Sequence, residues 1–173
     1  MSNETSSEID SADITERLVG ITPVYLNNFL QRELFGLKAS VQTGKVRAKR
    51  RLFSRDDVFG IALVWMLFES GLRTEPIIRV LKGITESAKP NANAAAKKLL
   101  ESGAEYLLIV REPRMPTKSP ESKPNQQALC PVRRAELSNA FEQYPASDLL
   151  AIPVGNKFAD LGKRLEILFP HLP

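Results

Sequence analysis

Apolar residues recur at helical spacing at Leu26, Phe29, Leu30, Leu34 and Leu37, while Tyr25, Asn27, Asn28, Gln31 and Arg32 fall toward the other side. This pattern predicts a helix with one packed face and one amide-rich face. Upstream, Asp13-Ile14-Thr15-Glu16 has the spacing of a capping box and predicts a first helix to about Val19. Gly20 suits a left-handed C-cap, and Thr22-Pro23 offers a capping hydroxyl before a proline fitted to a first turn, so the two helices meet in a tight turn. From Lys38 to Phe53 the helical period is lost, and Gly44 between alternating stretches predicts a hairpin. Ser54 and Asp57 again have capping spacing, leading into Val58 to Ser70, whose apolar residues surround the helix and mark it as buried. Gly71 ends it, and Thr74-Glu75-Pro76 opens a short helix that places Ile77, Ile78, Val80 and Leu81 over the core before Gly83.

The pattern then changes. A helix is predicted over Ala92 to Ser102, stopped by Gly103, followed by an unbroken apolar run, Tyr106 to Val110, of the kind that forms a buried strand. Residues 113–127 hold four prolines among polar residues, the composition of a mobile loop. Arg133 to Tyr144 reads as helical, Leu149 to Val154 as a strand and Asn156 to Phe169 as helical, which fits a small β-α-β-α module. The expected fold class is therefore mainly α (α+β). Residues 1–10 form a disordered polar tail, 11–86 one compact unit, and 87–173 a small α/β module.

Composition narrows the function. The 173 residues, 43% of them hydrophobic, can supply a core. Cys130 is the single cysteine and His171 the single histidine, so neither a disulfide framework nor a Cys/His zinc site is expected, and no metal or cofactor is called for. The polar, acidic start lacks the features of a signal peptide, and the apolar stretch Ile61 to Phe68 has about half the length of a membrane span, so a cytoplasmic protein without membrane attachment is expected. The net charge of +4 favours a polyanionic partner, and its placement matters more than its size. Lys38, Lys45, Arg47, Lys49, Arg50, Arg51 and Arg55 fall in and around the hairpin, with no acidic residue between Lys38 and Asp56.

Asn, Gln and Arg carry the donors and acceptors that match purine edges in the major groove, and cations on an adjacent hairpin can hold phosphates. Thr22, Tyr25, Asn27, Asn28, Gln31 and Arg32 on the second helix, with Lys45, Arg47, Lys49, Arg50, Arg51 and Arg55 beside it, are thus candidate contacts to double-stranded DNA. The order of elements, and above all Arg51-Leu52-Phe53-Ser54 followed by Asp57-Val58, resembles the MerR family of bacterial transcription regulators over Ile14 to about Leu81, with Gly71 and Ile78-Xaa-Xaa-Leu81 similar to the family's next element. The resemblance implies a winged helix-turn-helix domain over 11–86, a nucleoid-associated homodimer, and regulation of transcription through sequence-specific DNA binding. Three features depart from the family: Asn27-Asn28-Phe29-Leu30 stands where an arginine-aromatic-aromatic-glutamate segment is usual, the wing is longer, and no long heptad helix follows. Base preference and the family's usual route to dimerisation do not carry over.

Other chemistry is less favoured. Trp65, Met66 and Phe68 are assigned to the core rather than to a ligand pocket, and Asp56-Asp57 is explained electrostatically by its place at a helix start, so catalysis is not expected. A redox role for Cys130 beside Arg133 and Arg134 weighs less than a buried, inert thiol. The C-terminal module is left to dimerise, to sense a small-molecule or protein effector, or to recruit a partner. The rival reading is an architectural or nucleoprotein-assembly adaptor of phage or plasmid type that binds DNA without regulating transcription.

Overall fold

The computed structural model describes residues 9–31, 33–42, 50–111, 127–143 and 148–171. The fold is mainly α, with two small antiparallel sheets among the described residues. The chain enters through β1 (Ile9–Asp10), α1 (Ser11–Asp13) and a π-helical continuation (Ile14–Leu18). The cap of this first helix is Asp10, whose carboxylate accepts from the amides of Ala12 and Asp13 at 2.9 Å each. It lies three residues before the cap expected at Asp13, and Glu16 closes no capping box with that residue. Ile9 and Asp10, assigned by their composition to the tail, instead pair with Phe53 and Leu52, and Ile9 is fully buried.

After α2 (Pro23–Gln31) the chain turns through the left-handed residues Glu33 and Gly36. Leu34 and Leu37 thus lie beyond the helix expected to carry them, although Leu37 is buried and Leu34 half-buried. β2 (Ser40–Gln42) and β3 (Arg50–Phe53) pair antiparallel as expected for a hairpin, and β1 adds a third strand in the order β1-β3-β2. Ser54 then caps α3 (Arg55–Glu69) in the expected capping box: its hydroxyl accepts from the Asp57 amide at 3.2 Å, and the Asp57 carboxylate accepts from the Ser54 amide at 2.8 Å.

α3 is buried on several sides because several elements pack around it. On one side is α5 (Ala92–Ser102), which buries Ala92, Ala95, Ala96 and Leu99. Gly60 makes that approach feasible, since a Cβ there would collide with the Asn93 side-chain oxygen and come 3.0 Å from the Asn93 backbone nitrogen. The Asn93 amide donates to Asp57 at 2.6 Å, tying α5 to the cap of α3, while its buried oxygen has no partner among the described residues. On another side α7 (Val154–Leu168) places Phe158 edge-to-face against Phe59, ring centres 5.4 Å apart. α2 meets it through the rings of Tyr25 and Phe29 against Trp65 and Phe68. Between these, α4 (Thr74–Thr85) buries Ile77, Val80, Leu81 and Ile84. It runs through Gly83 rather than stopping there, and Glu86 supplies the left-handed cap.

The strand, helix, strand and helix expected in the C-terminal part are present, but a further strand joins them. β4 (Tyr106–Arg111) is the centre of an antiparallel sheet, flanked by β5 (Gln127–Val132) and β6 (Asp148–Ile152) in the order β5-β4-β6. β5 starts at Gln127, the last residue of the expected loop, while residues 112–126 lie outside those described. A 3-10 turn (Arg134–Glu136) and α6 (Leu137–Gln143) fill the region read as helical. Leu107, Leu108 and Ile109 are all fully buried, and since successive strand residues face opposite ways, both faces of β4 are covered. One continuous apolar cluster runs from Ile9 to Leu165, with no break at the boundary expected after residue 86.

Candidate nucleic-acid interface

The local sequence fixes where α2 begins. Val19 and Gly20 both donate to the Ile14 carbonyl, at 3.0 and 3.3 Å, and Gly20 takes the left-handed conformation (φ 75°) that reverses the chain. Thr22 is exposed, its hydroxyl accepts from the Tyr25 amide at 3.5 Å, and its carbonyl accepts from Leu26 at 3.0 Å. Its role is thus that of a helix cap. Leu26 and Phe29 are buried, which leaves Val24, Asn27, Asn28 and Gln31 exposed at spacings of three and four along one face.

Aromatic side chains hold that face in place. The Tyr25 ring centre lies 5.5 Å from that of Trp65 and 4.9 Å from that of Phe68, Trp65 stacks on Phe68, and Phe29 meets Phe35 edge-on. Such pairs contribute about 0.5–1.5 kcal/mol each beyond the area they bury. Trp65 and Phe68, expected in the core, are therefore half-buried parts of a clamp between α3 and α2, while Met66 is buried. Tyr25, expected among the contacts, has its ring in this clamp and remains 38% exposed.

The hairpin reaches the same surface. Leu52 and Phe53 of β3 are buried, and Arg51, opposite Val41 in the register, donates from Nη1 to the Asn27 side-chain oxygen at 2.5 Å. An amide of the second helix and a guanidinium of the hairpin thus form one polar surface. It carries donors, acceptors and a fixed positive charge, which suits recognition of an anionic or heteroaromatic partner.

The other candidates divide. Arg50 pairs through its backbone with Gln42. Arg32, Lys45, Arg47 and Lys49 lie outside the described residues. Arg55 is not brought to the α2 surface: as the first residue of α3 it lines a cleft with Leu165, Glu166, Phe169 and Pro170 at the end of α7. The Lys38 charge is answered by Glu33 at 3.7 Å. Val24, 68% exposed, belongs to the face, and the sequence reading passed over it, although its place three and four residues before Asn27 and Asn28 is the signal that finds it. Among the described residues, no group of three or more His, Cys, Asp and Glu could hold a metal ion, and no helix is long and apolar enough to cross a membrane. No model of a protein family matches the chain, and no curated protein is significantly similar to it.

Proposed function

We propose that the protein is a sequence-specific, double-stranded-DNA-binding transcription regulator of the MerR type, acting by binding rather than by catalysis. In this reading α2 enters the major groove and the basic hairpin lies along the backbone as a wing. The observation that carries it is the Arg51–Asn27 hydrogen bond, because one duplex can touch the helix face and the hairpin only if the two adjoin. Scale agrees: nine residues at 1.5 Å each make α2 about 13 Å long, comparable with the roughly 12 Å width of the major groove. The face it offers is chemically apt, with Asn28 and Gln31 able to bond base edges and Val24 able to meet a thymine methyl.

The cations Lys45, Arg47, Lys49 and Arg50 would supply affinity independent of sequence, and a homodimer would address two half-sites about one helical turn apart. The C-terminal half, including the cleft beside Arg55, would receive a small-molecule or protein effector. The protein would work in the cytoplasm, on the nucleoid.

Binding of labelled duplexes, followed by fluorescence anisotropy over a salt series, tests the proposal. With about five phosphates neutralised per subunit, log affinity should fall against log salt with a slope of about −4 to −5 per subunit. Arg47→Ala and Lys49→Ala should each weaken binding and reduce that slope. A protein that leaves duplex DNA unbound in dilute buffer overturns the reading.

A further inference from the structure

Resting on the DNA-binding reading, we infer that Asn27 and Arg51 read one base pair as a single unit, and that the base they select is guanine. An asparagine that reads adenine uses both ends of its amide, the oxygen accepting from N6 and the nitrogen donating to N7. Here the Asn27 oxygen already accepts from Arg51 Nη1 at 2.5 Å. What the pair offers outward is the Asn27 NH2 group and the remaining N–H groups of a guanidinium, which has five donors and no acceptor.

This surface is made of donors. Guanine presents two acceptors in the major groove, O6 and N7, and fits it. Adenine presents one acceptor and one amino donor, and the donor would face guanidinium N–H groups, like against like. Cytosine offers its amino donor and is excluded for the same reason. Phosphate oxygens would also accept, but the hydrogen bond holds the guanidinium at the middle of the exposed face of α2, between Val24 and Gln31, so it travels with that face toward the bases. The Nε–Nη2 edge is left intact for a two-pronged contact to O6 and N7. Asn27 acts here as the residue that positions Arg51, and Asn28 and Gln31 are left to read other positions.

Binding-site selection from random duplexes, with the full chain and its Asn27→Ala, Arg51→Ala, Arg51→Lys, Asn28→Ala and double Asn27→Ala/Arg51→Ala variants, tests the inference. The wild type should enrich guanine at one position. Asn27→Ala and Arg51→Ala should flatten preference at that same position by on the order of 10-fold, and the double variant should flatten it no further. Arg51→Lys keeps the charge but not the fork, so it should retain most of the affinity and lose the guanine preference. Asn28→Ala should act at a different position. Loss of an adenine preference in Asn27→Ala alone, or an Arg51→Lys variant that selects as the wild type does, overturns the pairing while leaving DNA binding intact. A wild-type chain that selects no duplex overturns both. Circular-dichroism melting of each variant separates a lost contact from a lost fold.

Discussion

One hydroxyl sets the start of the helix on which the rest of the molecule is packed. The Ser54 side chain satisfies the Asp57 amide, and Asp57 reciprocates while also receiving the Asn93 amide, so the cap of α3 is joined to α5. Ser54→Ala should cost about 1 kcal/mol, the usual loss for a serine N-cap, and lower the melting temperature by several degrees; an unchanged melt would show that Asp57 and Asn93 hold the helix start without it. Caps of this kind are legible in a sequence because both partners lie within three residues. The first helix shows how such a reading slips: Asp10 and Asp13 both precede helical residues, and the choice between them is made by β1, which places Asp10 beside Leu52. The Asn27–Arg51 bond was beyond sequence reasoning for the opposite reason. Its partners are 24 residues apart, and only the register of the hairpin brings them together.

At the scale of elements, the long helices, the β2–β3 hairpin and the strands β4 and β6 were read with small errors, whereas β1 and β5 were not read. α3 and α5 carry strong apolar patterns and recognisable caps. α4 extends past Gly83 because Ile77, Val80, Leu81 and Ile84 keep the helical period, and burying Ile84 offsets the roughly 1 kcal/mol that a helical glycine costs. β1 has two residues, too few for any period to register. β5 contains Pro131, which argues against a strand until its place is known; β5 is an edge strand, and an edge can lack one ladder donor. β1 matters because it closes the outer side of β3, the strand that carries Arg51. Ile9→Ala, which leaves a cavity under that sheet, should destabilise the fold by about 2–5 kcal/mol. On the DNA-binding proposal it should also weaken duplex binding more than its distance from the α2 surface would suggest, because Arg51 loses its support. Denaturant unfolding and anisotropy on the same variant check this, and binding equal to that of the wild type would show that β3 holds its register without β1.

Over the whole molecule, the sequence suggested two units joined near residue 86, since its character changes there. The apolar cluster crosses that point instead: α3, from the first half, is covered by α5 and α7, from the second. Composition along a chain reports local preference and carries no information on which surfaces meet, so the joint core could not be read from it. Its consequence is thermodynamic. A helix as apolar as α3 cannot be left with two faces bare, and the halves should therefore unfold together. Trp65, the single tryptophan, lies on α3 and reports on the first half, whereas Phe158 lies on α7. Phe158→Ala removes a buried ring that packs edge-on against Phe59, at an expected cost of about 3–5 kcal/mol. If the core is shared, Trp65 fluorescence and far-ultraviolet circular dichroism should give one coincident unfolding transition, and the substitution should move both to lower denaturant by the same amount. A Trp65 transition that stays in place while part of the helical signal melts early would mean that α7 packs on α3 without stabilising it, and that the first half stands alone.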